Sequence, residues 1–84
     1  MESRIAILGI IIHDLKSAEE INRILHDYNE YIVGRMGIPY REREVNIISI
    51  AIDAPQDIIS TLSGKIGRLE SVTCKTVYSN IISK

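Results

Sequence analysis

Eight consecutive residues near the start of the chain, Ile5-Ala6-Ile7-Leu8-Gly9-Ile10-Ile11-Ile12, are apolar, and neither a period of 2 nor one of 3.6 leaves them a polar face. A run of this kind belongs in a strand covered on both sides, at the centre of a sheet. It reaches about half the length needed to cross a bilayer, and His13-Asp14 follow it directly. It also lacks a well-placed small-residue cleavage site, so neither a membrane span nor a signal peptide is expected. The same bias runs through the whole chain: eighteen of its 84 residues are isoleucine, and Phe and Trp are absent. Stiff β-branched side chains favour pleated surfaces, so a sheet is expected to supply most of the core.

After the first strand (residues 4–12), Ser17-Ala18-Glu19-Glu20 has the Ser-x-x-Glu form of a capping box, which opens a helix. Ile21, Ile24, Leu25 and Tyr28 follow at i, i+3, i+4 and i+7 as its apolar stripe. A short β-prone segment, residues 31–37, closes through Gly37-Ile38-Pro39-Tyr40, where proline favours an edge or a turn. The charged tip Arg41-Glu42-Arg43-Glu44 separates it from residues 45–53. There Ile48, Ile50 and Ile52 share one face, and Val45, Ile47, Ser49 and Ala51 the other. Asp53-Ala54-Pro55-Gln56 reads as a second helix start with Asp53 as the capping acid. Ile58, Ile59, Leu62, Ile66 and Leu69 form its stripe, and Gly67 is expected as a left-handed stop. Residues 72–78 alternate as a half-buried edge strand, and residues 79–84 read as a short tail or an extension across a partner.

The order β-α-β-β-α-β within one domain spanning residues 1–84 is the split βαβ pattern. It predicts an α+β, ferredoxin-like sandwich in which right-handed crossovers place both helices on one face of a four-stranded antiparallel sheet. The other face is then bare. Because the first strand carries apolar side chains in both directions, a single chain would expose a larger apolar patch than soluble proteins tolerate. Self-association through the sheet, as a homodimer or tetramer, is the expected remedy. Full cover of three isoleucines is worth roughly 5–9 kcal/mol before association costs, which is large for a chain with so small a core.

Ten basic and eleven acidic residues give a net charge of −1, so no field holds a polyanion and direct DNA binding is not expected. The single Cys74 excludes an internal disulfide and fits a reducing cytoplasm. One Cys and two His at these spacings do not make a metal site, and the residues name no cofactor. His13 beside Asp14 reads either as a solvated loop pair or as a carboxylate-oriented ligand or base. His26, off the apolar stripe, reads as a surface residue, and Cys74 as a small buried hydrophobe. Arg35, Arg41 and Arg43 with Lys65 and Lys75 could meet an anion, but Glu42 and Glu44 among them favour a solvated, salt-bridged tip. Tyr28, Tyr31 and Tyr40 suit an interface or a pocket wall. No nucleophile, base and acid set assembles. Acylphosphatase shares the topology, but its glycine-rich anion loop is missing where His13-Asp14-Leu15 stands, so an enzyme is not expected.

Val33-Gly34-Arg35-Met36-Gly37-Ile38-Pro39-Tyr40, with Ile47-Ile48-Ser49-Ile50, Asp53-Ala54 and Leu62-Ser63-Gly64-Lys65-Ile66-Gly67, resembles the small proteins proposed as iron-only hydrogenase system regulators. The resemblance runs from Arg4 to about Ser79. It implies a ferredoxin-like fold close to ACT domains and to the effector domain of nickel-responsive repressors, and a role beside hydrogenase maturation. The N-terminal DNA-binding segment of those repressors has no counterpart here, and His13, His26 and Cys74 do not reproduce their nickel ligands. The expectation is a non-enzymatic regulatory or sensor domain of the cytoplasm. It oligomerises and binds a small effector at a subunit interface through His13, Asp14, Ser17, Arg35 and Tyr40. The alternative is an interaction or assembly factor for hydrogenase maturation, with a protein partner and no small ligand.

Overall fold

The computed structural model describes residues 2–83, with side chains as far as residue 80. Six elements follow one another: β1 (Ser3–Ile12), α1 (Leu15–Asp27), β2 (Ile32–Tyr40), β3 (Val45–Ala54), α2 (Gln56–Gly67) and β4 (Val72–Ser83). Short 3₁₀ turns at Asn29–Tyr31 and Arg41–Arg43 lead into β2 and out of it. All strand pairs are antiparallel, in the order β2-β3-β1-β4. The isoleucine-rich β1 is therefore central, while β2 and β4 form the edges. Pro39, which has no amide hydrogen to give, sits on edge strand β2, where a missing donor is tolerated.

Strand periodicity splits the sheet into two unlike faces. Register pairs Ala6 with Ile52, Leu8 with Ile50 and Ile10 with Ile48. These side chains, with Ile12 and Ala54, are buried under Ile21 and Leu25 of α1 and Ile59, Leu62 and Ile66 of α2. The opposite face carries no helix. Along it Ile38, Ile47, Ile11 and Thr73 make one cross-strand row, and Gly34, Ala51, Ile7 and Val77 another. Ile7 is 49% exposed and Val77 67%. In the isolated chain, then, β1 is covered on one side only, and its second apolar side is the open face.

Local details depart from the sequence expectations at four places. Asp14, not Ser17, caps α1: its carboxylate accepts from the Lys16 amide at 3.0 Å, because the helix begins one turn earlier than the capping-box pattern implies. Asp53 lies within β3, which runs on to Ala54, and does not cap α2, which follows Pro55 without a side-chain cap. Gly67 is helical rather than left-handed, and the positive φ of this connection falls on Ser71, at 57°. Finally, residues 79–83 are not a tail: β4 continues through them, pairing Ile82 with Arg4 and Ser83 with Ser3 beyond a register irregularity. Lys84 lies outside the described residues.

Candidate functional site

The helix-covered side of the sheet is incompletely filled at its β2 edge, for a reason visible in the sequence. On β2 the residues that share the helix side are Arg35, Gly37 and Pro39, opposite Ile50, Ile48 and Asn46 of β3. Glycine contributes no side chain and proline a short ring, so the space between α1 and β2 stays open. A Cβ placed on Gly37 would meet nothing within 4 Å. The result is a hollow of about 260 Å³ bordered by Ala18 and Asn22 of α1, Arg35, Gly37 and Pro39 of β2, and Asn46 and Ile48 of β3. A second hollow, about 450 Å³, lies at the hairpin end between Leu15, Tyr40, Arg41, Glu44 and Val45. Pro39 and Asn46 line both, so the two hollows adjoin along the groove beside the hairpin.

Two polar features stand out in this groove. Arg35 Nη2 donates to Asn22 Oδ1 at 2.7 Å, which steers the guanidinium toward α1. It forms no ion pair among the described residues, and most of its five N–H donors remain free. Asn46 is half-buried on the floor, and its side-chain amide has no protein partner among the described residues. Both asparagines were missed in the sequence reading. Asn46 carried a signal, because it shares the parity of Ile48, Ile50 and Ile52 and is thus a polar residue on the covered side of a strand. Asn22 carried none.

The five candidate residues do not converge. Arg35 and Tyr40 line the two parts of the groove. His13 is exposed and its amide donates to the Ser71 carbonyl at 2.8 Å. Asp14 is engaged with the start of its own helix. Ser17 is buried, and its hydroxyl donates to the Glu70 carbonyl at 2.8 Å, on the β4 side of the molecule. The wider basic set is also dispersed. Lys65 of α2 stands over the Tyr28 ring at 5.1 Å, and Lys75 shares the open-face parity of Val77 on β4. The Arg41–Glu44 tip is exposed, with no ion pair among the described residues.

Cys74, half-buried beneath α2, lies 4.0 Å from Ser63 Oγ. Burial pushes its thiol pKa up, and the Ser63 contact opposes that only in part. Among the described residues, no group of three or more His, Cys, Asp or Glu is arranged to hold a metal ion. None of the described helices is long and apolar enough to cross a membrane.

Residues 4–76 match the model of the TM1266-like family, described as "Iron-only hydrogenase system regulator, putative". The chain belongs to this family. A solved structure of the uncharacterized protein TM1266 from Thermotoga maritima is 36% identical. The match covers 90% of this chain and 96% of that one, at a TM-score of 0.87. The fold shared with this family member is the ferredoxin-like, ACT-like sandwich described above. More distant likenesses concern the fold alone. A formyltetrahydrofolate deformylase from Pseudomonas putida is 13% identical with a TM-score of 0.67, over 92% of this chain and 29% of that one. A homoserine dehydrogenase from Thiobacillus denitrificans is 20% identical with a TM-score of 0.61, over 90% of this chain and 17% of that one. In both, the family's fold corresponds to a small part of a larger protein. No protein of curated function matches the sequence.

Proposed function

We propose that this member of the hydrogenase-regulator family is a non-enzymatic sensor domain that works as a homo-oligomer. Two copies associate through the open sheet face and respond to a small effector bound beside their junction. One observation carries the reading: Ile5, Ile7, Ile11, Met36, Ile38, Ile47 and Val77 lie on the helix-free face and are between 37% and 67% exposed. Covering such half-exposed side chains is worth about 1 kcal/mol each, and a twofold pair counts every one twice. That total competes with the roughly 4–15 kcal/mol cost of association. Sheets stacked about 10 Å apart would interdigitate these rows as in a sandwich core.

Family membership supports a regulatory role, and the scattering of Cys, His and carboxylates supports sensing rather than catalysis. Static light scattering at micromolar concentration is expected to give a mass of at least two 9.5 kDa chains. A single-chain mass would sink the oligomer. A thermal-shift screen of small metabolites is expected to find a stabilising effector. A flat response, together with co-purification of a hydrogenase-maturation enzyme, would instead favour the assembly-factor reading.

A further inference from the structure

We propose that the groove between α1 and the β2–β3 hairpin binds a small monocarboxylate with an apolar body, and that this is the effector class of the sensor proposed above. Among the described residues, the guanidinium of Arg35 is the only cation bordering the inner hollow. Asn22 accepts one of its N–H groups at 2.7 Å and so orients the fork that remains, which matches a carboxylate in a bidentate pair. Within the inner hollow this one cation stands among uncharged residues and matches one negative charge, while the outer hollow adds Arg41 and Glu44, whose opposite charges offset each other. A dianion such as a phosphate monoester would bring charge that nothing in this hollow neutralises.

The rest of the lining sets the body of the ligand. Gly37, Pro39, Ala18 and Ile48 give the inner hollow an apolar floor and wall, and Leu15, Tyr40 and Val45 continue it toward the hairpin end. Leu15 is 78% exposed, so its side chain is accessible to the apolar end of a bound ligand. Between the two parts, the Asn46 amide, without a protein partner among the described residues, offers two N–H donors and a carbonyl acceptor to a polar atom in the middle of the ligand. Together the joined hollows are in the size range of small-molecule sites.

Gly37 supplies a clean test. Its φ is not positive, and a side chain there enters empty space rather than protein, so Gly37→Val fills the groove without disturbing the fold. The probes are hexanoate and phenylacetate, with hexanamide and phenylacetamide as uncharged twins of the same shape. Titrated into ¹⁵N-labelled protein at millimolar concentration, at least one acid is expected to move the amide signals of Arg35, Gly37 and Asn46 saturably. Its amide twin, Arg35→Gln and Gly37→Val are each expected to weaken binding tenfold or more, with the spectra of both variants otherwise native. No saturable shift with either acid, equal binding of acid and amide, or full binding by folded Gly37→Val would each overturn the proposal. Light scattering on the same samples separates this result from the oligomer reading: an assembled protein that ignores both acids refutes the groove alone, and a single chain that binds one supports the groove while refuting the oligomer.

Discussion

The Ser17 hydroxyl donates to the main-chain carbonyl of Glu70 at 2.8 Å, tying the first turn of α1 to the loop that enters β4 across 53 positions of sequence. Ser17 is 7% exposed, so water cannot readily replace the lost donor. Ser17→Ala removes one hydrogen bond and leaves a partly buried carbonyl short of a partner, a cost of about 1–2 kcal/mol. Urea denaturation is expected to show a lowered midpoint with an unchanged slope. Ser17→Thr retains the hydroxyl and is expected to recover part of the loss. A midpoint equal to that of the native chain in Ser17→Ala would show that the contact does not stabilise the fold.

The open face makes a prediction about mass rather than stability. Ile11 lies in the row formed by Ile38, Ile47 and Thr73, on the central strand. A charge in its place leaves the helix-covered core untouched but must be desolvated when a second sheet closes over it. Ile11→Lys is expected to raise the dissociation constant of the oligomer at least a hundredfold, giving a single-chain mass by light scattering at micromolar concentration with native far-UV dichroism. Leu15→Lys, which is equally apolar-to-charged but lies on α1 and not on the sheet, is expected to leave the mass unchanged. Identical masses for the two variants would remove the face from the interface.

How much of this could be read from the residues follows from the range of each interaction. The element order, the central position of β1 and the parity of Ile48, Ile50 and Ile52 are consequences of local periodicity, and the structure reproduces them. Helix ends were less legible, because Ser17 satisfies the spacing of a capping box while Asp14, three residues earlier, takes the role. Nothing local distinguishes the two; the long-range bond from Ser17 to Glu70 does. The groove was half visible. Arg35 and Tyr40 were legible as candidate side chains and both border the groove, but the hollow depends on the absence of a side chain at Gly37 and on the pairing that sets Gly37 opposite Ile48. His13, Asp14 and Ser17 were grouped with them because they are near one another in sequence, and the fold turns each toward a different neighbour.

Among the described residues, two non-glycine residues hold a left-handed backbone: Glu44 at φ 54° and Ser71 at φ 57°. Such a conformation costs an L-residue roughly 1–2 kcal/mol, part of which glycine gives back through its greater freedom when unfolded. Glu44 is exposed at the hairpin tip and forms no ion pair among the described residues. Glu44→Gly is therefore expected to raise stability by about 0.5–1 kcal/mol, read as a melting temperature several degrees higher. Glu44→Val, β-branched and unsuited to this region, is expected to lower it. Equal melting temperatures for the two variants would contradict the assigned backbone.

The Cys74 thiol gives a pH dependence with a definite sign. Burial raises its folded pKa above the ordinary thiol value, so the folded chain holds this proton more tightly than the unfolded one. The stabilisation is present in full below the pH at which an exposed thiol ionises, about pH 9. It is lost as pH rises through the folded value, because the unfolded chain releases the proton first. Cys74→Ala has no such proton and keeps the Thr76 to Ser63 hydrogen bond of 3.1 Å available. Urea midpoints measured for both proteins from about pH 7 to pH 10.5 are expected to show the native chain losing more stability than the variant as pH rises. Alkylation by iodoacetamide near pH 8 should also run at least tenfold slower for the folded protein than in urea, since only the thiolate reacts. A stability difference that stays constant over this range would mean that Cys74 meets water as freely in the folded chain as in the unfolded one.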